Sequence, residues 1–158
     1  MISEAIMNDS SAVLSEILTK LARSVEQRDA TIIADIFHEG AEYHDLFYGV
    51  FRGHEDIFHM ITDRFHRDGE DFKWIFRDPV GTEEIGYAWY DFSYASKLDG
   101  LAGCRTVLTG AALVRLHGGR ILSYREFGNS GATLAKLGAS DDLILKHVRR
   151  SADELALA

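Results

Sequence analysis

The stretch RTVLTGAALVRLHGGRILSYREF, residues 105–127, decides the fold. Two strand-like runs, Arg105 to Leu116 and Arg120 to Phe127, flank His117-Gly118-Gly119, whose glycines supply the positive φ of a tight hairpin. Upstream, Phe72 to Arg77 and Ile85 to Ser96 are also strand-like, with Lys97 to Gly103 a looser connection. Everything from Phe72 to Phe127 is therefore predicted to be a run of antiparallel strands.

The chain before this run reads as helical. Val13, Leu14, Ile17, Leu18, Leu21, Ala22 and Val25 recur at the spacing of one helix face, with Glu16, Lys20, Arg23 and Glu26 opposite. Asp29 is the expected N-cap of a short second helix carrying Ile32, Ile33, Ile36 and Phe37 and ending at Gly40. A short strand is expected over Glu42 to Phe47, then a Gly-bounded turn, Tyr48 to Gly53. A third helix is predicted from His54 to about Gly69, with Ile57, Phe58, Ile61 and Phe65 on one face. Ser140-Asp141-Asp142 opens a C-terminal amphipathic helix, predicted over 141–157. Helices first and strands afterwards indicate an α+β fold.

Composition narrows the function classes. At 158 residues, 46% apolar and 27% charged, the chain is expected to be a single globular domain spanning 1–158. A formal charge of −8 argues against nucleic acid and anionic membrane surfaces, which need clustered cations. Short basic groups such as Arg149-Arg150 are flanked by acids and read as solvated surface. Cys104 is the only cysteine, so no internal disulfide or thiolate cage can form. With no basic leader and no apolar run of membrane length, a cytoplasmic protein is expected.

The Ile85 to Ser96 strand carries Ile85, Tyr87, Trp89, Asp91 and Ser93 on one face and Ala88, Tyr90, Phe92 and Tyr94 on the other. Neither face is plainly a solvated one. Helices of the same chain can cover one, and a second subunit is the simplest cover for the other, which predicts a homodimer through the sheet face.

Three further stretches carry a family resemblance: Glu26-Gln27-Arg28-Asp29, Tyr43-His44-Asp45 leading to Phe51-Arg52-Gly53-His54, and Gly119 to Phe127. With the order of elements, they make residues 12 to 130 resemble the nuclear transport factor 2 superfamily, which includes SnoaL-like polyketide cyclases, ketosteroid isomerases and limonene-epoxide-hydrolase-like proteins. The resemblance implies a cystatin-like cone, a curved antiparallel sheet wrapped around N-terminal helices with a central pocket, followed by a helical extension over 131–158. It also implies site residues. Glu126 stands where the cyclases and epoxide hydrolases hold a catalytic aspartate, and Asp45 where the isomerases hold their general base. Asp91 stands where epoxide hydrolases use an Arg-x-Asp pair, with Trp89 replacing the arginine. The isomerases' oxyanion acid is replaced by Ala111 or Ala112, and their first-helix tyrosine by Leu21.

Asp45, Asp91 and Glu126 are accordingly the candidate catalytic residues, and Tyr43, Trp89 and Tyr124 the candidate ligand-binding ones. Carboxylates gathered in an apolar cavity cannot all ionise cheaply, so one pocket can hold a proton acceptor beside a proton donor. The chemistry expected is proton abstraction beside a carbonyl, dehydration, or water addition to an activated ring, on a hydrophobic small molecule and without metal or organic cofactor. The other reading is a non-catalytic small-molecule-binding or protein-interaction domain of the same fold. In that case Asp45 would cap its turn, Asp91 would pair with Arg105 or Arg125, and Glu126 with Arg105, Arg115 or Arg125. Other chemistries find no support. His54 and His59 are five apart and miss the one-face spacing of a zinc-protease helix, and Gly128-Asn129-Ser130-Gly131 is not a nucleophile elbow. Cys104 has no activating neighbour and reads as a core or edge residue.

Overall fold

The computed structural model describes the backbone of residues 2–155 and the side chains of residues 9–155. Helix α1 (Ile2–Gln27) buries Leu14, Ile17, Leu18, Leu21, Ala22 and Val25 of the predicted stripe, but Val13, at its margin, is exposed. A single turn of helix, α2 (Ile33–Ile36), leads straight into strand β1 (Phe37–Asp45). Asp29 does not cap α2: its Oδ1 is taken by Thr31 N and Oγ1, at 2.9 and 2.7 Å, in a local turn. The second helix therefore ends before Gly40, and Phe37 opens the strand instead.

Strand β2 (Gly49–Arg52), read from sequence as turn, pairs back on β1. Helix α3 (Gly53–His59), a π-helical turn over Met60–Arg64 and helix α4 (Phe65–Asp68) follow. Four long strands come next: β3 (Gly69–Gly81), β4 (Ile85–Ser96), β5 (Arg105–His117) and β6 (Arg120–Gly128). They form one curved, unclosed six-stranded sheet in the order β2-β1-β6-β5-β4-β3. The sheet is not wholly antiparallel as expected, because β1 lies parallel to β6. Strands β3 to β6 are antiparallel in succession, and β3 enters running opposite to β1, so β6 lies beside β1 running the same way.

Two more helices follow. Asn129 Oδ1 accepts from Ala132 N at 3.0 Å and caps α5 (Ser130–Leu137), which hydropathy alone does not reveal. Ser140 caps α6 (Asp141–Asp153); predicted positions 156 and 157 lie outside the described residues.

Helix α1 packs in the concavity of the sheet against β3, and Glu26 fixes its end by accepting from Trp74 N at 2.8 Å. On β4, Ala88 and Tyr90 are buried toward this core, whereas Tyr87 and Trp89 on the opposite, convex face are each 49% exposed. Cys104 is exposed beside β5, neither core nor strand edge. Among the described residues no helix is long and apolar enough to cross a membrane.

Candidate active site

The parallel β1–β6 pairing sets Tyr43 opposite Tyr124, and their rings stack at 4.6 Å. Because strand side chains alternate, the next inward positions are Asp45 and Glu126. Both line a cavity of about 160 Å³ whose remaining wall is largely apolar, including Phe72, Trp74 and Phe92 from the sheet and Leu134 and Leu137 from α5. Tyr43 Oη donates to Glu126 Oε1 at 3.0 Å. Asp45 Oδ1 accepts from Phe47 N and Tyr48 N, each at 2.8 Å. One oxygen of Asp45 thus caps the turn, while the residue still faces the cavity.

The electrostatics of the pair follow from burial. Desolvation first, and the neighbouring Asp45 charge second, push Glu126 well above the usual carboxylate range, against the opposing effect of the Tyr43 and Tyr124 hydroxyls. Burial also raises Asp45, to about 6, but the Tyr48 and Phe47 amides and then Arg150 hold it lower than it would otherwise be. Both carboxyls are thus driven toward their neutral forms, Glu126 further than Asp45, and neither has a salt bridge among the described residues. The partners foreseen for Glu126, Arg105, Arg115 and Arg125, do not neutralise it.

Three polar groups around this pair have no hydrogen-bond partner of good geometry: Tyr124 Oη, Tyr90 Oη and Trp74 Nε1. Each is buried, and leaving such a group unpaired costs about 1–3 kcal/mol. Trp74 is also one of the residues that line the cavity.

A third carboxylate at the cavity escaped the sequence reading. Asp68, at the end of α4, accepts from Tyr48 Oη at 2.6 Å and from Arg67 Nε at 2.6 Å, and Arg67 above all holds it below the usual range. An aspartate at the end of a helix carries no periodic signal that would single it out.

A family model described as a SnoaL-like domain matches residues 18–124, from within α1 to Tyr124. The chain belongs to this family. No curated protein matches the chain. Among solved structures, TsrD from Streptomyces laurentii is 17% identical, with a TM-score of 0.70 over 82% of this chain and 97% of its own. IdmH of Streptomyces antibioticus, a candidate polyketide cyclase, is 16% identical with a TM-score of 0.66, over 79% of this chain and 98% of its own. An LEH-like epoxide hydrolase of M. tuberculosis is 9% identical with a TM-score of 0.65, over 92% of this chain and 98% of its own. At such identities the likeness is one of fold.

In this SnoaL-like chain the convergence of three predicted carboxylates reduces to two. Asp91 and Trp89 are not in the cavity. Tyr90 points into the core, so its neighbours on β4 must point to the convex face. There Asp91 pairs with Arg77 of β3 and accepts from Thr109 Oγ1 at 2.8 Å, contacts that lower its pKa, Thr109 most strongly. Neither Arg105 nor Arg125 is its partner. Aromatic residues on both faces of β4 hid the phase of the strand.

The raised Asp45 has a stability consequence. A group with a raised folded-state pKa contributes stability that is present below its unfolded pKa and lost as pH rises through the folded value. A rise from 3.8 to about 6 corresponds to about 3 kcal/mol. Urea unfolding between pH 3.5 and 7 is expected to show a stability loss in wild type that exceeds that of Asp45→Asn by about this amount, the share due to Glu126 being common to both, since asparagine keeps the Oδ1 cap. Parallel profiles for the two proteins would contradict the assignment.

Proposed function

We propose that the chain is a cofactor-independent general acid/base enzyme acting on a hydrophobic small molecule, of the cyclase, isomerase or hydratase type. The observation that carries this reading is the half-buried Asp45–Glu126 pair at the polar end of an otherwise apolar cavity. Asp45 is the base: Oδ1 is held by two amides, and the other oxygen is free to take a proton from carbon beside a carbonyl. Glu126 is the acid: protonated, and oriented by Tyr43, it donates to the carbonyl oxygen as charge develops there. The fold shared with a candidate polyketide cyclase and an epoxide hydrolase supports the same class of substrate. The cavity is of the size that holds a single benzene ring, so the reacting part of the ligand is compact. Incubation with cyclic ketones and hydroxy-ketones in deuterium oxide should produce mass-detected exchange at carbon that is absent with Asp45→Asn. Exchange that persists undiminished in that variant would overturn the reading.

The convex face supports a homodimer. Trp89, Ala111 and Phe127 are register neighbours across β4, β5 and β6, and Ile75, Trp89 and Phe127 are 49%, 49% and 67% exposed. An apolar row of this kind on a sheet is the mark of a subunit contact. Sedimentation should give a dimer at micromolar concentration and a monomer for Trp89→Lys. A monomeric wild type would remove the proposal.

A further inference from the structure

Arg150, read from sequence as solvated surface, reaches across from α6 and donates through Nη2 to the Phe47 carbonyl at 2.9 Å. The same Phe47 residue donates its N–H to Asp45 Oδ1 at 2.8 Å. A single residue of the β1–β2 turn therefore joins the candidate base to a helix that lies beyond the residues spanned by the SnoaL-like family match.

We propose that α5 and α6 form a lid over the cavity and that Arg150 is a positioning residue. It clasps the closed lid to the turn that holds Asp45 and brings a cation near that carboxylate. The proposal rests on the reading of that pair as the working groups of the site.

Several features make the clasp specific. The His147 and Phe47 rings lie 5.3 Å apart, and His147 is the only side chain of α6 that is buried. His147 Nε2 lies 2.7 Å from Ser130 Oγ, and Nδ1 lies 3.2 Å from Arg150 Nη2. A guanidinium only donates, so Nδ1 must be the acceptor and Nε2 must carry the hydrogen toward Ser130. Burial, and after it the Arg150 charge, lower the pKa of the ring, with Glu154 opposing them. The clasp thus engages α5, α6 and the β1–β2 turn at once.

Other features make the lid movable. Leu143, Leu145 and Val148 of α6 remain largely exposed, so little apolar burial holds the helix down. Gly138 joins α5 to α6 at φ 91°, the left-handed conformation that suits a glycine hinge. Leu134 and Leu137 of α5 wall the cavity, so any ligand larger than a single ring requires them to shift. The ionisable groups facing the clasp are Asp45 on β1, its neighbour Glu126 on β6, His147 on α6 and Glu154 just beyond that helix; Arg67 and Asp68 of α4 neutralise one another nearby.

The test needs no turnover, so it stands apart from the catalytic reading. Asp45 is titrated by carboxyl carbon NMR, and amide hydrogen exchange of α6 is followed, in wild type, Arg150→Met and Arg150→Lys. In Arg150→Met the Asp45 midpoint should rise by about half a unit, since a nearby exposed cation has been removed. Exchange over α6 should accelerate by about tenfold as the clasp is lost. Arg150→Lys should restore most of the titration shift, because charge is kept, but less of the protection, because the guanidinium geometry is not. If either the Asp45 midpoint or the α6 exchange is unchanged in Arg150→Met, the proposal is overturned. Loss of activity in Asp45→Asn bears on the catalytic reading alone.

Discussion

Glu126→Gln is expected to lower turnover by about 10²–10⁴-fold, the usual worth of a positioned general acid, while leaving the fold intact. Glutamine occupies the same space and still accepts from Tyr43 Oη, so the stacked Tyr43–Tyr124 pair keeps its support. What it cannot do is release a proton. The pH profile sharpens the expectation. Turnover in wild type should rise as pH increases through about 6, where Asp45 loses its proton and becomes a base. It should fall again at higher pH, as Glu126 deprotonates against its desolvation and the Asp45 charge. Because the carboxylates interact, the two limbs belong to the pair rather than to single residues. Glu126→Gln removes the descending limb. Asp45→Asn removes the base and should cost at least as much. Asp91→Asn, on the convex face and paired with Arg77, should leave turnover essentially unchanged. A Glu126→Gln enzyme that matches wild type in rate, or an Asp91→Asn enzyme that is inactive, would contradict the geometry described above.

The contrast between Glu126 and Asp91 shows which parts of the site could be foreseen. Glu126 lies two residues after the apolar-faced Tyr124, and Tyr43-x-Asp45 repeats that alternation on β1, so both side chains point inward as alternation predicts. On β4 Tyr87 and Trp89 face one way and Tyr90 and Phe92 the other, and alternation cannot choose between two aromatic faces. The choice is made by α1, whose apolar stripe covers the Ala88–Tyr90 side. The strand run, the α+β order and the Gly118-Gly119 hairpin were legible because each is a local property. The parallel β1–β6 contact was not, since it depends on where two distant strands meet. Asp68 and Arg150 were missed for the same reason: each is polar at a helix end or face, and becomes part of the site only through tertiary contact.

Gly110→Ala is expected to cost about 3 kcal/mol or more of stability, a value in the destabilising tail of single substitutions. Gly110 faces Gly128 where β5 and β6 pair, and the two backbones approach unusually closely there. A Cβ on Gly110 would sit 1.9 Å from the Phe127 carbonyl oxygen and 2.9 Å from Gly128 Cα. Both are main-chain atoms of the partner strand, so no side-chain rotation relieves the overlap, and the strands must separate. Gly100→Ala is the matched control. Its φ of 77° also disfavours alanine, but nothing lies within 4 Å of the added carbon, so it should cost only the left-handed penalty of about 1–2 kcal/mol. The effects differ in kind as well as size. Gly100 sits in the turn before β5, whereas separation at Gly110 displaces the strand that carries Glu126, whose register partner is Ala112. Gly110→Ala should therefore lower both the urea midpoint and the activity of the fraction that remains folded, and Gly100→Ala only the midpoint. An equal urea midpoint for Gly110→Ala and wild type would mean that β5 and β6 are not held at this distance, and that Glu126 is not fixed by their contact.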